Sequence, residues 1–151
     1  HPEVLEEARQ ALELPKEAVE DLFKYAIDPA EYTREPHYRE GYAEIELGMD
    51  GLKRLIAAKA RIAMGTDAGT LANFHGTSYR EVEAMVEVGM TPTDAIVAST
   101  RNPALAYGRS ELGTVEVGKL ADVIVVEGDP LADIRNLRNV VKVFKGGEEY
   151  K

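Results

Sequence analysis

RIAMGTDAGTLANFHGTSYRE, residues 61–81, is the stretch on whose reading the fold turns. Ile62-Ala63-Met64 is a brief apolar run, too short for a helix, and it stops at Gly65, so it reads as a buried strand. A Gly-Thr-Asp-Ala-Gly turn follows, and His75 stands eight residues after Asp67. One short buried strand between helical stretches is what a single βα step of a parallel α/β barrel or sheet looks like. Residues just past the C-terminal end of such a strand line the mouth where active sites form. Two readings of Asp67 stand side by side. Aspartate in a glycine-rich turn forms an Asx-turn. A carboxylate among small neighbours, which let a ligand approach closely, can also hold a divalent metal and take a proton from bound water. His75, in Asn-Phe-His-Gly on a loop leading into a helix, can hydrogen-bond a carbonyl or anionic group of a substrate, or simply pack its ring on the loop. Thr66 joins it as a substrate-binding candidate.

Working outward, the N-terminal part reads as helix. Val4, Leu5, Ala8 and Leu12 share a face at helical spacing, and Pro15 opens a second helix through about Ile27. Residues 28–36, with Pro29 and Pro36, are turn-like. Helical spacing returns over 37–59, weakened by Gly41, Gly48 and Gly51. His37 reads as a solvated residue at a helix start, and His1 carries no assignment. Beyond the 61–81 stretch, Thr77 or Ser78 can cap a helix bearing Val82, Met85 and Val86 and ending at Gly89. Thr91-Pro92-Thr93-Asp94 opens a further helix or pair of helices. The character then changes: GTVEVGKLADVIVVEGDPL and VVKVFKGGEEY are β-branched runs cut by Gly and Pro, hence strands and turns, with a hairpin at Gly146-Gly147. A lone strand at 62–64 cannot satisfy its backbone, so it is expected to pair with another chain, with the runs around 123–126 or 140–144, or with barrel strands on a separate polypeptide.

The 151 residues carry a formal net charge of −9, which argues against nucleic-acid binding and against adhesion to an anionic membrane. There is no cysteine, so disulfides and thiolate metal sites are excluded. No apolar run approaches the ~20 residues that span a bilayer, and a soluble, cytoplasmic protein is expected. The start at His1-Pro2 instead of methionine points to a truncated or processed product. With three histidines, no H-x-H, and no H-E-x-x-H, the residues alone do not assemble a metal centre. G-x-S-x-G, P-loop and G-x-G-x-x-G motifs are absent as well.

RIAMGTDAG, HGTSYREVEAMVEVGMTPTDAIVASTRNPALAYG and LGTVEVGKLADVIVVEGDPLADI together resemble the C-terminal third of the amidohydrolase superfamily, above all its imidazolonepropionase-like and prolidase-like members. The resemblance covers about residues 60–151, and the Gly-Lys-Leu-Ala-Asp turn entering the 123–126 run makes it specific. It implies an α/β fold: the last strand and flanking helices of a (β/α)8 TIM-like barrel, plus strands of a small β-sandwich, incomplete as a single chain. Residues 1–110 would end the barrel domain, and 111–151 would supply the composite sandwich.

By resemblance, Asp67 is the aspartate that binds a divalent metal and acts as general base, and His75 lies near the substrate. The metal, zinc foremost, is expected in the complete enzyme and not on this chain alone, because the family's H-x-H, bridging lysine and further histidines lie upstream of the matching region. The implied activity is hydrolysis of a C–N bond in an amide, cyclic amide or Xaa-Pro dipeptide by metal-activated water. This chain alone is expected to be inactive, and its partners would be that small-molecule substrate and the missing barrel portion or another copy of the chain. The alternative is a non-catalytic fragment or structural module that acts only with a partner chain.

Overall fold

The structure, a computed structural model, describes residues 36–69 and 75–150, with side chains from residue 47 onward. The helices expected before residue 28, the turn-like segment through residue 35 and the side chain of His37 lie outside the described residues. Among the described residues four helices come first in chain order: α1 (Pro36–Ala57), α2 (Tyr79–Glu87), α3 (Pro92–Ser99) and α4 (Arg101–Ala106). Strand β1 (Val123–Val126), a 3-10 helix (Ile134–Arg138), β2 (Val140–Lys145) and β3 (Glu148–Glu149) complete the order. The chain divides into two compact units, one comprising His1–Gly51 with Ala68–Gly76, the other Leu52–Asp67 with Thr77–Lys151.

In the second unit the core forms where helix periodicity and small side chains coincide. Val82 and Met85 sit one turn apart on α2 and are buried, while the acidic Glu81 lies in the first turn, where the helix dipole favours it. Ser78 takes the expected N-cap place, but its side chain makes no capping bond. On α3 the cap is complete: the Asp94 N–H donates to Thr91 Oγ1 at 3.1 Å, and the Thr91 hydroxyl donates back to Asp94 Oδ2 at 2.7 Å. Pro92 occupies the first turn, where its missing N–H costs nothing. Ala95 and Ala98 are fully buried, and their small side chains let α3 lie close against its neighbours. Ile134 of the 3-10 helix completes this cluster, with Leu52, Ile62, Met64, Val86 and Leu137 packed around it.

The sheet is antiparallel throughout, in the order β1-β2-β3. Val123 faces Phe144, Ile124 faces Val143 and Val125 faces Lys142, with a bulge before Val126. Gly146 and Gly147, at φ 59° and 89°, make the two-residue hairpin to β3 that the sequence predicts, because two successive positive φ values match the strand twist. Asp122 closes the other end: it accepts from Lys145 Nζ at 2.5 Å and from the Gly146 N–H at 2.8 Å.

Two expectations need correction. Among the described residues, 61–64 pair with neither β1 nor β2, so the expected pairing with the 123–126 or 140–144 runs does not form; Ile62 and Met64 are half-buried and alternate with the exposed Arg61 and Ala63. Within this chain the segment is held by helix α3: the Met64 N–H donates to the Ala98 carbonyl at 2.8 Å, and Ile62 and Met64 pack on the helical core. The Val115–Val117 run forms no strand either. Its two valines are 86% and 108% exposed, and the Lys119 N–H closes a turn onto the Glu116 carbonyl. Helix α1 ends at Ala57, so it does not run on into the 61–64 segment.

Candidate active site

Asp67 ends the segment that Ile62 and Met64 anchor in the core. Its side chain is exposed, and its backbone sits at φ 53°, in the left-handed region. Few non-glycine residues occupy that region, and aspartate is among those enriched there. Held against a cost of order 1–3 kcal/mol, such a conformation is found preferentially at functional sites. Thr66, adjacent in the chain, is half-buried.

Two hydrogen bonds set the approach to Asp67. Met64 donates to Ala98 of α3, and Asn102 Nδ2 on α4 donates to the Ile62 carbonyl at 2.7 Å across forty residues of sequence. Asn102 was not singled out by sequence reasoning. Its one local signal is its place before Pro103 in a helix's first turn, which says nothing about a partner forty residues away.

His75 lies in the first unit, exposed, in a turn. Its imidazole crosses Gly69 so closely that a Cβ there would come within 3.2 Å of Nε2. Gly69, at φ 100°, therefore serves both the turn and the ring. Asp67 and Thr66 belong to the second unit, so the arrangement that is defined around Asp67 is made by Thr66, Met64, Ile62 and Asn102.

Among the described residues no three His, Cys, Asp or Glu side chains come together as a metal site would require. Asp67 offers one carboxylate. The described residues therefore do not by themselves fit the divalent ion that the resemblance implies. An open cleft lined by Thr100, Pro103, Ala104, Tyr107, Arg109, Leu112 and Gly113 includes none of the three candidate residues.

Charge around the second unit is arranged for holding elements together. Arg138 of the 3-10 helix grips Glu83 of α2 with two bonds of 2.7 Å and stacks on the Tyr79 ring at 5.4 Å. Asp133, whose carboxylate accepts from the Arg135 guanidinium and the Arg135 N–H, is held down to about 2. Asp122 is lowered by Lys145 first and the Gly146 N–H second, and Glu111 is lowered chiefly by Arg109. Among the described residues no helix is long and apolar enough to cross a membrane.

Comparison with known proteins places the chain in a family. The family model described as Amidohydrolase family matches residues 3–150. Ochratoxinase from Aspergillus niger is 38% identical over 102 residues, covering 64% of this chain and 20% of that protein. An imidazolonepropionase from Haloarcula marismortui is 35% identical over 68 residues, covering 44% of this chain and 16% of that protein. Among solved structures, a Xaa-Pro dipeptidase with bound methionine in the active site is 40% identical, with a TM-score of 0.63 over 68% of this chain and 25% of that one. The chain spans about a fifth of the length of the curated relatives it matches. The chain belongs to the amidohydrolase family.

Proposed function

We infer that this chain is the C-terminal part of a hydrolase that cleaves a C–N bond in an amide, cyclic amide or Xaa-Pro dipeptide, with Asp67 as general base. The observation that carries this reading is the placement of Asp67, exposed in a left-handed turn at the end of a segment pinned to α3 and α4. In that role an Asp67 carboxylate oxygen accepts a proton from water as the water oxygen bonds to the substrate's carbonyl carbon. The C–N bond then breaks, and the proton passes to the leaving nitrogen. Thr66 is assigned to a substrate contact by its place next to Asp67, and His75 by its resemblance to the loop histidine of prolidase-like members.

Supporting the reaction class, the relatives include an ochratoxinase and a Xaa-Pro dipeptidase. In this reading residues 1–110 end a barrel domain, and 111–151 contribute strands to a second, sandwich domain. The divalent ion general to the family would require ligands beyond those the described residues bring together, and Asp67 would be one of them.

The test is hydrolysis by the full-length protein of a panel comprising an Xaa-Pro dipeptide, an N-acyl amino acid and a cyclic amide, read by release of the amine or ring-opened product. Turnover of at least one member supports the reading. A folded, metal-supplemented protein that leaves every member intact overturns it.

A further inference from the structure

We propose that Asn102 is a positioning residue for the reaction: its side-chain amide holds the Ile62 carbonyl and thereby sets the short run of backbone that presents Asp67. The proposal rests on the reading of Asp67 as general base.

The geometry is specific. Asn102 lies in the first turn of α4 and is half-buried, and its Nδ2 reaches the Ile62 carbonyl at 2.7 Å. A carbonyl can only accept, so the amide orientation is fixed by its partner. Two residues on, the Met64 N–H donates to the Ala98 carbonyl of α3. The α3–α4 pair thus supplies one donor and one acceptor to a segment that pairs with no strand among the described residues. Ile62 and Met64 point their side chains into the helical core between these anchors. From Met64 only Gly65 and Thr66 intervene before Asp67, so an error at the anchors passes to the carboxylate through a short chain of about 3.3–3.6 Å per residue.

Asn102 is itself held. A Cβ on Gly113 would lie 2.7 Å from the Thr100 carbonyl, 2.8 Å from Arg101 Cα and 2.9 Å from Ala104 Cβ, so the loop ending at Gly113 packs directly on the turn that carries Asn102. Misplacing a reacting group by about 1 Å can cost ~10²-fold in rate, which is the scale on which such a support matters.

The experiment uses the full-length protein with Asn102→Asp, which keeps the shape while replacing the donor by a carboxylate that repels the Ile62 carbonyl, and with Asn102→Ala as a second variant. Amide hydrogen exchange is read over Met64 to Asp67 and over α2, and kcat and KM are read separately with methionyl-proline as the probe. The expected result is exchange at the Met64 amide faster by about fivefold, the scale of one lost hydrogen bond, with α2 within about twofold. On the dipeptide kcat is expected to fall ~10–100-fold while KM stays within about twofold. Val143→Ala, a half-buried change on β2 outside the cluster that holds Ile62 and Met64, is expected to lower Tm and to leave kcat within about twofold.

Unchanged exchange at Met64–Asp67 overturns the proposal. So does an equal kcat loss in Val143→Ala. If both Asn102 variants also lose protection throughout α2, Asn102 serves the fold at large and the proposal fails. The exchange result needs no substrate, so it decides the positioning role even where the dipeptide is not turned over. An active Asp67→Asn protein would instead refute the general base and leave the exchange result standing.

Discussion

Gly113→Ala is expected to be the most damaging small substitution in the described part of the second unit, and Gly118→Ala isolates the reason. Both glycines lie in the left-handed region, at φ 85° and 87°, so each alanine carries the same backbone penalty of roughly 1–2 kcal/mol. They differ in what the new methyl meets. At Gly118 nothing lies within 4 Å, whereas at Gly113 the methyl would meet backbone and Cβ atoms at 2.7–2.9 Å. Two of those three atoms are backbone, the Thr100 carbonyl oxygen and Arg101 Cα, and cannot swing aside as the end of a long side chain can. Relieving the clash means displacing the first turn of α4, and overpacking of this kind costs about 1–3 kcal/mol. The sum is ~2–5 kcal/mol for Gly113→Ala against ~1–2 kcal/mol for Gly118→Ala. Urea unfolding followed by circular dichroism reads the difference as a lower midpoint at similar slope. Because the displaced turn bears Asn102, exchange at the Met64 amide should also rise in Gly113→Ala and not in Gly118→Ala. Equal destabilisation by the two alanines would refute the close packing of the 107–113 loop on α4 and with it the support claimed for Asn102.

Glu83→Gln and Arg138→Met, combined in a double-mutant cycle, should show a coupling of about 1 kcal/mol, since a bidentate pair backed by an aromatic face exceeds the usual surface pair. Arg138 is 43% exposed and Glu83 only 13%, and a coupling indistinguishable from zero would mean the clamp is not formed in solution. The carboxyl of Asp133 is held at about 2 from an ordinary 3.8, with Arg135 as the first cause. Its pairing therefore stabilises fully above the unfolded value and is lost as pH falls from near 4 through about 2. An NMR titration of the Asp133 side chain with a midpoint above about 3.5 would contradict this, and Asp133→Asn should remove that pH dependence of the 3-10 helix.

Local features were legible in the sequence because their physics is local. Thr91, Pro92 and Asp94 specify a helix start within four residues, and the cap forms as written. Val82 and Met85, a turn apart, declare the buried face of α2, and Gly146-Gly147 declares a hairpin. For Ile62-Ala63-Met64 the sequence does not name the partners, because a short apolar run looks the same whether its backbone is held by strands or by helix groups. Here the partners are Ala98 and Asn102, which lie 34 and 40 residues away, and no period in the sequence encodes such bonds. The valines at 115 and 117 have the β-branched character of a strand, but no neighbour among the described residues pairs with them. Asp67 was legible as a turn residue from its glycines and as a carboxylate of interest from the family motif. Its φ of 53° and the bonds that steady its approach were not.

The measurement that bears most directly on the central claim is turnover by the full-length protein carrying Asp67→Asn, on whichever amide substrate the wild type hydrolyses. Asparagine keeps the shape and, like aspartate, tolerates the left-handed backbone, so folding should be retained, checked by an unchanged circular dichroism spectrum and Tm. It removes the basic oxygen and the negative charge. With Asp67 as general base, kcat falls ~10²–10⁴-fold. A folded Asp67→Asn protein that keeps more than a tenth of wild-type turnover would make Asp67 a turn residue and nothing more.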